Sequence, residues 1–256
     1  MASDREFLTR LFANASGLVG PDELRARENT LPDPVRRYLH YAIAEGAQAI
    51  GTVRMQHGGD FRTKPDQRWF AIEGQQYFTA AHPGFVWKAR IRPLPFLWID
   101  ARDSLVADRG NMLVKLVSVL PIADASGPEI DQGARLRWLA ECCWFPYAFV
   151  GTCVGWTPID ARSARVAVRS SGLPVSAIVE VDDVGKLVGL RAERYRDVGG
   201  GKAVLTPWIG QYSDYRRFGG FRVPSFVDVR WLLDDQEFSY ARFRILTIEY
   251  NLPKPF

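Results

Sequence analysis

Between Asp131 and Trp144 the chain carries Arg137, Glu141 and Trp144 at spacings i, i+4 and i+7. On a helix, which advances about 100° per residue, these three share one narrow stripe. Leu136, Leu139, Ala140 and Cys143 occupy another face, Trp138 flanks the stripe, and Gln132 and Arg135 are left to face solvent. A helix that is apolar over most of its circumference is a buried one. Charges on such a helix must be paired or hydrogen-bonded. Two roles follow for the pair. In one, Arg137 and Glu141 satisfy each other and nearby strand backbone, and so hold the fold together. In the other, Glu141 faces a cavity beside Trp138 and Trp144. Apolar surroundings then raise its pKa and let it act as a general acid or base near neutral pH, while Arg137 orients it or binds an anionic group. The spacing leaves both roles open.

Other residue types offer less. Phe85-Val86-Trp87-Lys88-Ala89-Arg90 alternates strictly, which puts Phe85, Trp87 and Ala89 on one face of a strand. Trp87 is expected in the core or against a ligand, and Tyr77 on the preceding strand brings a hydroxyl to the interior. Asp108, with Arg109 and Asn111 beside Gly110, forms a turn or a wall of the site. His40, His57 and His82 lack metal-ligand spacing, so no metal is expected. Neither a Gly-x-Ser-x-Gly elbow nor a Walker A loop is present, and Gly199-Gly200-Gly201-Lys202 lacks the following Ser or Thr of a phosphate loop. No cofactor is expected. The three cysteines, Cys142, Cys143 and Cys153, make no disulfide framework and read as reduced thiols of a reducing, cytoplasmic compartment.

The elements that must position these residues are mostly strands. Residues 4–14 and 21–28 suit short amphipathic helices, giving an N-terminal helical arm over 1–30. A helix over 35–44 follows, with Pro34 at its first position and Asp33 as cap. From Ala49 the apolar period becomes two. Strand-like runs cover 68–72, 75–81, 84–91, 96–101 and 104–108, punctuated by Gly, Pro and Asp. Residues 112–120 suit a short helix or a buried strand, and 129–144 suit a helix. Strands resume at 152–157, 164–170, 175–181, 186–195, 203–208, 212–217, 225–232 and 236–250, with a hairpin turn at Asp182-Asp183-Val184-Gly185. Many strands without alternating helices exclude a doubly wound α/β fold. The expected class is mainly β (α+β): a large curved antiparallel sheet or half-barrel wrapped on a central helix, with N-terminal helices. Residues 31–256 form a single β-rich domain.

Composition agrees. Hydrophobic residues make up 47% of the 256, with 8 Trp and 15 Phe, enough for a sizeable core. The net charge is +4 and no run of like charges appears, so no nucleic-acid partner is expected. Residues 1–18 have early acids and no long apolar stretch, unlike a signal peptide. No window reaches the roughly 20 apolar residues of a membrane span.

The order of motifs is also distinctive. Leu31-Pro32-x-Pro34-Val35-x-Arg37-Tyr38 is followed by Arg68-Trp69-Phe70-Ala71, Gln75-x-Tyr77 and Pro83-Gly84-Phe85-Val86-Trp87-x-Ala89. Then come Asp131, Arg137-x-Leu139-x-Glu141-x-x-Trp144-Phe145-Pro146, Val154-x-Trp156, Tyr215, Pro224 and Trp231. Over residues 30–250 this resembles a bacterial family of unknown function, DUF6544 or DUF6920. The resemblance implies no reaction. Sheets of this kind are similar to the half-barrels of lipoprotein carriers, which hold acyl chains, a likeness of fold and not of function. Tyr147 stands where the resemblance implies a small residue, and Arg92-Pro93-Leu94-Pro95 has an extra proline; both reshape a pocket. The expected function is binding of a small hydrophobic or aromatic molecule in an apolar pocket of several hundred cubic ångströms, lined by Tyr77, Trp87, Trp138, Trp144, Tyr147 and Asp108. The alternative is a cofactor-independent lyase, isomerase or hydrolase using Glu141 with Arg137. An interaction protein would instead expose an apolar patch.

Overall fold

The computed structural model describes residues 4–13, 15, 17–169 and 172–256. Alternating sequence produces two antiparallel meanders. The first is β1 (Thr52–Phe61), β2 (Phe70–Thr79), β3 (Gly84–Leu94), β4 (Leu97–Val106), β5 (Arg109–Leu116) and β6 (Leu120–Ala125). The second is β7 (Val154–Pro158), β8 (Ser163–Val168), β9 (Val175–Val181), β10 (Leu187–Gly199), β11 (Lys202–Phe218), β12 (Phe221–Leu233) and β13 (Gln236–Tyr250). They join as one open 13-stranded sheet because β1 pairs with β13, leaving β6 and β7 at the edges. Tight hairpins at Ala107-Asp108 (φ 51° and 63°) and Asp234-Asp235 (48° and 61°) use the left-handed pairs that suit strand twist.

Helix α4 (Pro128–Glu141) links the two edges and crosses the inner face, meeting β3, β4 and β5 on one side and β9 and β10 on the other. The core forms there: Val53, Met55, Phe78, Phe85 and Leu105 from the first meander, Val179, Leu190, Tyr212 and Val227 from the second, and Leu136, Trp138, Leu139 and Ala140 from α4. Three helices precede the sheet: α1 (Asp4–Ala13), α2 (Pro21–Arg27) and α3 (Asp33–Ala42). α1 lies on the outer face, where Leu8 and Leu11 pack on Tyr77, Val86 and Val106. α3 is tied to the helical turn after α4 by Tyr38, whose hydroxyl donates to the Cys143 carbonyl (3.0 Å).

The expected class is therefore the observed one, a curved antiparallel sheet wrapped on a central helix. Several details differ. The runs 68–72 and 75–81 are one strand, as are 96–101 with 104–108 and 203–208 with 212–217. Residues 112–120 contribute to β5 and β6 and form no helix. α3 begins at Asp33, with Pro32 before it. Gln132 and Arg135 are buried, not solvent-facing. The β4–β5 hairpin reaches over α4, and Asp108 accepts from Arg135 Nε (2.7 Å). Gln132 donates to the Glu193 carbonyl (3.0 Å).

Candidate functional site

Register assembles the site. Met55, Gln76, Trp87, Asp103 and Met112 stand opposite one another across β1 to β5, forming one row on the inner face. Arg137 and Glu141 come down on this row from α4. Arg137 Nη1 donates to Asp103 Oδ2 (2.9 Å), and its Nε donates to Glu141 Oε1 (3.0 Å). Gln76 Nε2 donates to Glu141 Oε2 (2.6 Å). The guanidinium lies 4.5 Å from the Trp87 ring centre and 5.2 Å from that of Phe85, a desolvated cation–π arrangement. The side chains of Arg137 and Glu141 are each 12% exposed, while the next helical residues, Trp138 to Ala140, are buried.

One row further along, His57 faces Gly74. A side chain at Gly74 would collide with it, since a Cβ there would stand 2.5 Å from His57 Nε2. Trp87 Nε1 donates to that same nitrogen (2.7 Å), so the ring proton sits on Nδ1. Burial, reinforced by the Arg137 charge, lowers the His57 pKa to about 3. Burial raises that of Glu141 against the opposing pull of Arg137 and Gln76. A neutral imidazole and a carboxyl of raised pKa thus lie on either side of the Arg137–Trp87 contact, His57 through Trp87 and Glu141 through Arg137.

The other expected residues go elsewhere. Trp138 is fully buried, and its Nε1 donates to the Thr79 carbonyl (2.9 Å). Trp144 Nε1 donates to the Pro224 carbonyl (3.0 Å). Both indoles act as core posts. Tyr147 donates to the Ala47 carbonyl (3.2 Å) and meets Phe221 edge-on. Tyr77 alternates onto the outer face beneath α1, where it meets Gln75 and the Phe256 backbone. Asp108 is half-exposed in its hairpin turn. Of the expected set, the structure brings Arg137, Glu141 and Trp87 together. It adds Gln76, Asp103 and His57. Burial pushes the Cys142, Cys143 and Cys153 thiols up, as in inert structural cysteines.

Beyond α4 the inner face carries a band of partly buried apolar side chains, referred to below as the trough. Phe61, Phe70, Ile99, Val114, Trp231, Tyr240 and Phe243 stay half-buried there, packed against the core from one side only. Trp208 Nε1 donates to the Tyr240 hydroxyl (3.0 Å), and Tyr240 stacks on Trp231 (5.7 Å between centres). The alternating pattern of 225–232 and 236–250 carried this signal. Two cavities lie away from Trp87, Trp138 and Trp144. One of about 840 Å3 lies over Glu180, Gly189, Arg191, Gln211 and Asp228. Another of about 660 Å3 lies over Glu73, Lys88, Arg90 and Asp100. Those side chains point to the outer face. Among the described residues, no group of three or more His, Cys, Asp or Glu is placed to hold a metal ion, and no helix is long and apolar enough to cross a membrane.

The solved structures similar to the chain include two distant likenesses. A domain assigned to outer membrane lipoprotein sorting, from Vibrio parahaemolyticus, is 7% identical, with 90% of this chain and 91% of that one covered and a TM-score of 0.43. A β-barrel-like domain of unknown function, DUF1849, from Brucella abortus, is 14% identical, with 78% and 97% covered and a TM-score of 0.26. Such likenesses say nothing of ligand or activity. No curated protein matches the chain in sequence. The model of a family of unknown function, DUF6544, matches residues 23–243, and the chain belongs to that family.

Proposed function

We propose that the protein binds a small hydrophobic or aromatic molecule in the trough of the inner face, with the Arg137–Glu141 network at its inner end. The observation that carries this reading is the apolar floor: Phe61, Phe70, Ile99, Val114, Trp231 and Phe243 keep solvent-accessible surface side by side. Contiguous apolar surface left uncovered marks an interaction site. The trough replaces the enclosed pocket as the place of binding, and Trp87 is the tryptophan of the expected set that closes its end.

The test uses N-phenyl-1-naphthylamine, an uncharged apolar fluorophore. The wild-type protein is expected to enhance its emission saturably. Val114→Trp, which fills the floor, weakens binding by about tenfold, roughly 1.4 kcal/mol, while the melting temperature is retained. Absence of saturable enhancement with the wild-type protein defeats the reading.

A second reading, catalysis without a cofactor, is favoured by the residual exposure of Glu141 together with its raised pKa. In that case Glu141 is the general acid or base and Arg137 orients it. Glu141→Gln keeps the shape and removes the proton. A folded variant with full turnover of a substrate found for this trough removes Glu141 from the chemistry.

A further inference from the structure

Among the described residues, Gln132 Oε1, Arg194 Nε and Arg196 Nε are buried without a hydrogen-bond partner. They belong to one neighbourhood. Arg194 and Arg196 stand two residues apart on β10 and extend from the inner face, as does Ala192 beside Trp208. The Arg194 guanidinium lies 5.2 Å from the Trp208 ring centre, and its Nε is 3.3 Å from where a Cβ on Gly133 would stand. It is therefore held between α4 and β11. Gln132, next along α4, donates its amide to the carbonyl of Glu193, which places its own carbonyl oxygen at the same junction.

The buried arginines Arg54, Arg102 and Arg135, and likewise Arg137, are each paired with a carboxylate. Arg54 holds Glu249, Arg102 holds Asp4, Arg135 holds Asp108, and Arg137 holds Asp103 and Glu141. Arg194 and Arg196 stand side by side with like charge, and among the described residues no carboxylate pairs with either. Nε atoms enclosed without an acceptor are costly, and such groups are ordinarily satisfied by something bound. From Arg194 the ring of Trp208 leads to Tyr240 and then Trp231, so Arg194 adjoins the trough.

We infer that Arg194 and Arg196 form the head-group site of the trough, and that its ligand is an anionic amphiphile. A carboxylate or phosphate accepts from the two guanidinium groups. The apolar portion lies along Trp208, Tyr240 and Trp231. This inference rests on the trough as the binding site, and the experiment separates the two.

Dodecyl phosphate, dodecanoate and dodecanol, each below its critical micelle concentration, are titrated calorimetrically into the full chain. Both anions are expected to bind at least about tenfold tighter than the alcohol. Arg194→Gln with Arg196→Gln brings the anions to the level of the alcohol and leaves alcohol affinity unchanged. Raising salt from about 50 to about 500 mM weakens the anions several-fold on the wild-type protein and spares the alcohol, a readout that does not depend on the variant folding. Equal binding of all three probes, or a folded variant that keeps the anion preference, overturns the head-group site while the trough stands. Failure of all three to bind overturns both.

Discussion

At His57 two effects act in the same direction: burial strips the imidazolium of water, and the nearby Arg137 charge repels it. The unfolded ring titrates near 6.5 and the folded one near 3. Between those values the unfolded state takes up a proton that the folded state refuses, so stability falls as pH drops. The slope is about 1.4 kcal/mol per pH unit, or roughly 2 kcal/mol between pH 6.5 and 5. Urea titrations of the wild-type protein and His57→Gln at those two pH values check this; equal losses in both would show that the ring does not contribute. Glu141 runs the other way. Its folded pKa is raised from 4.5, so its contribution is complete below that value and is lost as pH rises through the folded pKa. Glu141→Gln therefore gains on the wild-type protein as pH increases from about 4.5. Asp103→Ala leaves the Arg137 guanidinium without its sheet-side partner and is expected to cost ~3–5 kcal/mol, read from the urea midpoint. The stripe Arg137–Glu141 was legible from spacing alone. Its partners were not: Gly74 and Asp103 fell in gaps between expected strands, because glycine and aspartate ordinarily interrupt strands. Here one makes room for an imidazole and the other anchors a guanidinium.

Helix α4 is fixed mainly through its first turns. Asp131 accepts from the Gly110 backbone N–H (2.6 Å) and pairs with Arg109 (3.2 Å), and Arg135 is clamped to Asp108. Replacing Asp131 by Ala leaves a buried N–H orphaned, an expected loss of ~1–3 kcal/mol in chemical denaturation. Asp131→Asn, which retains an acceptor, recovers part of it. A variant as stable as the wild-type protein would show that water reaches Gly110. The helix itself could be read from its apolar circumference. The burial of Arg135 and Gln132 could not, since their partners Asp108 and Glu193 lie on hairpins far along the chain. A polar side chain on a helix reads as solvent-facing until a distant hairpin reaches it. Tyr77 illustrates the reverse for strands: its hydroxyl was expected in the interior, and it lies instead on the outer face, where the docking of α1 decides what it touches.

For the whole molecule the determining contact is the pairing of β1 with β13, for example Val53 with Tyr250. Truncation before Gln236 exposes the edges of both β1 and β12 and removes Ala241, Ile245 and Ile248 from the core. The shortened chain is expected to lose its near-ultraviolet circular dichroism and its cooperative urea transition. A sharp transition in that chain would show that the meanders fold independently. Period-two patterning and the scarcity of helices sufficed for the class of the fold. Strand order did not follow, because nothing local marks Thr52–Phe61 as the partner of a segment nearly two hundred positions away.

That seam has a consequence for synthesis. A ribosome releases the first meander, and then α4, while β1 still lacks one neighbour. The missing strand begins roughly 175 residues after β1 ends, a wait of about 9–35 s at ordinary elongation rates. Throughout that interval the nascent chain presents an unpaired strand edge beside half of a greasy interior, the combination that invites pairing with the wrong chain. Until β13 arrives, β1 needs a temporary neighbour, a chaperone or a passing strand, to cover that edge.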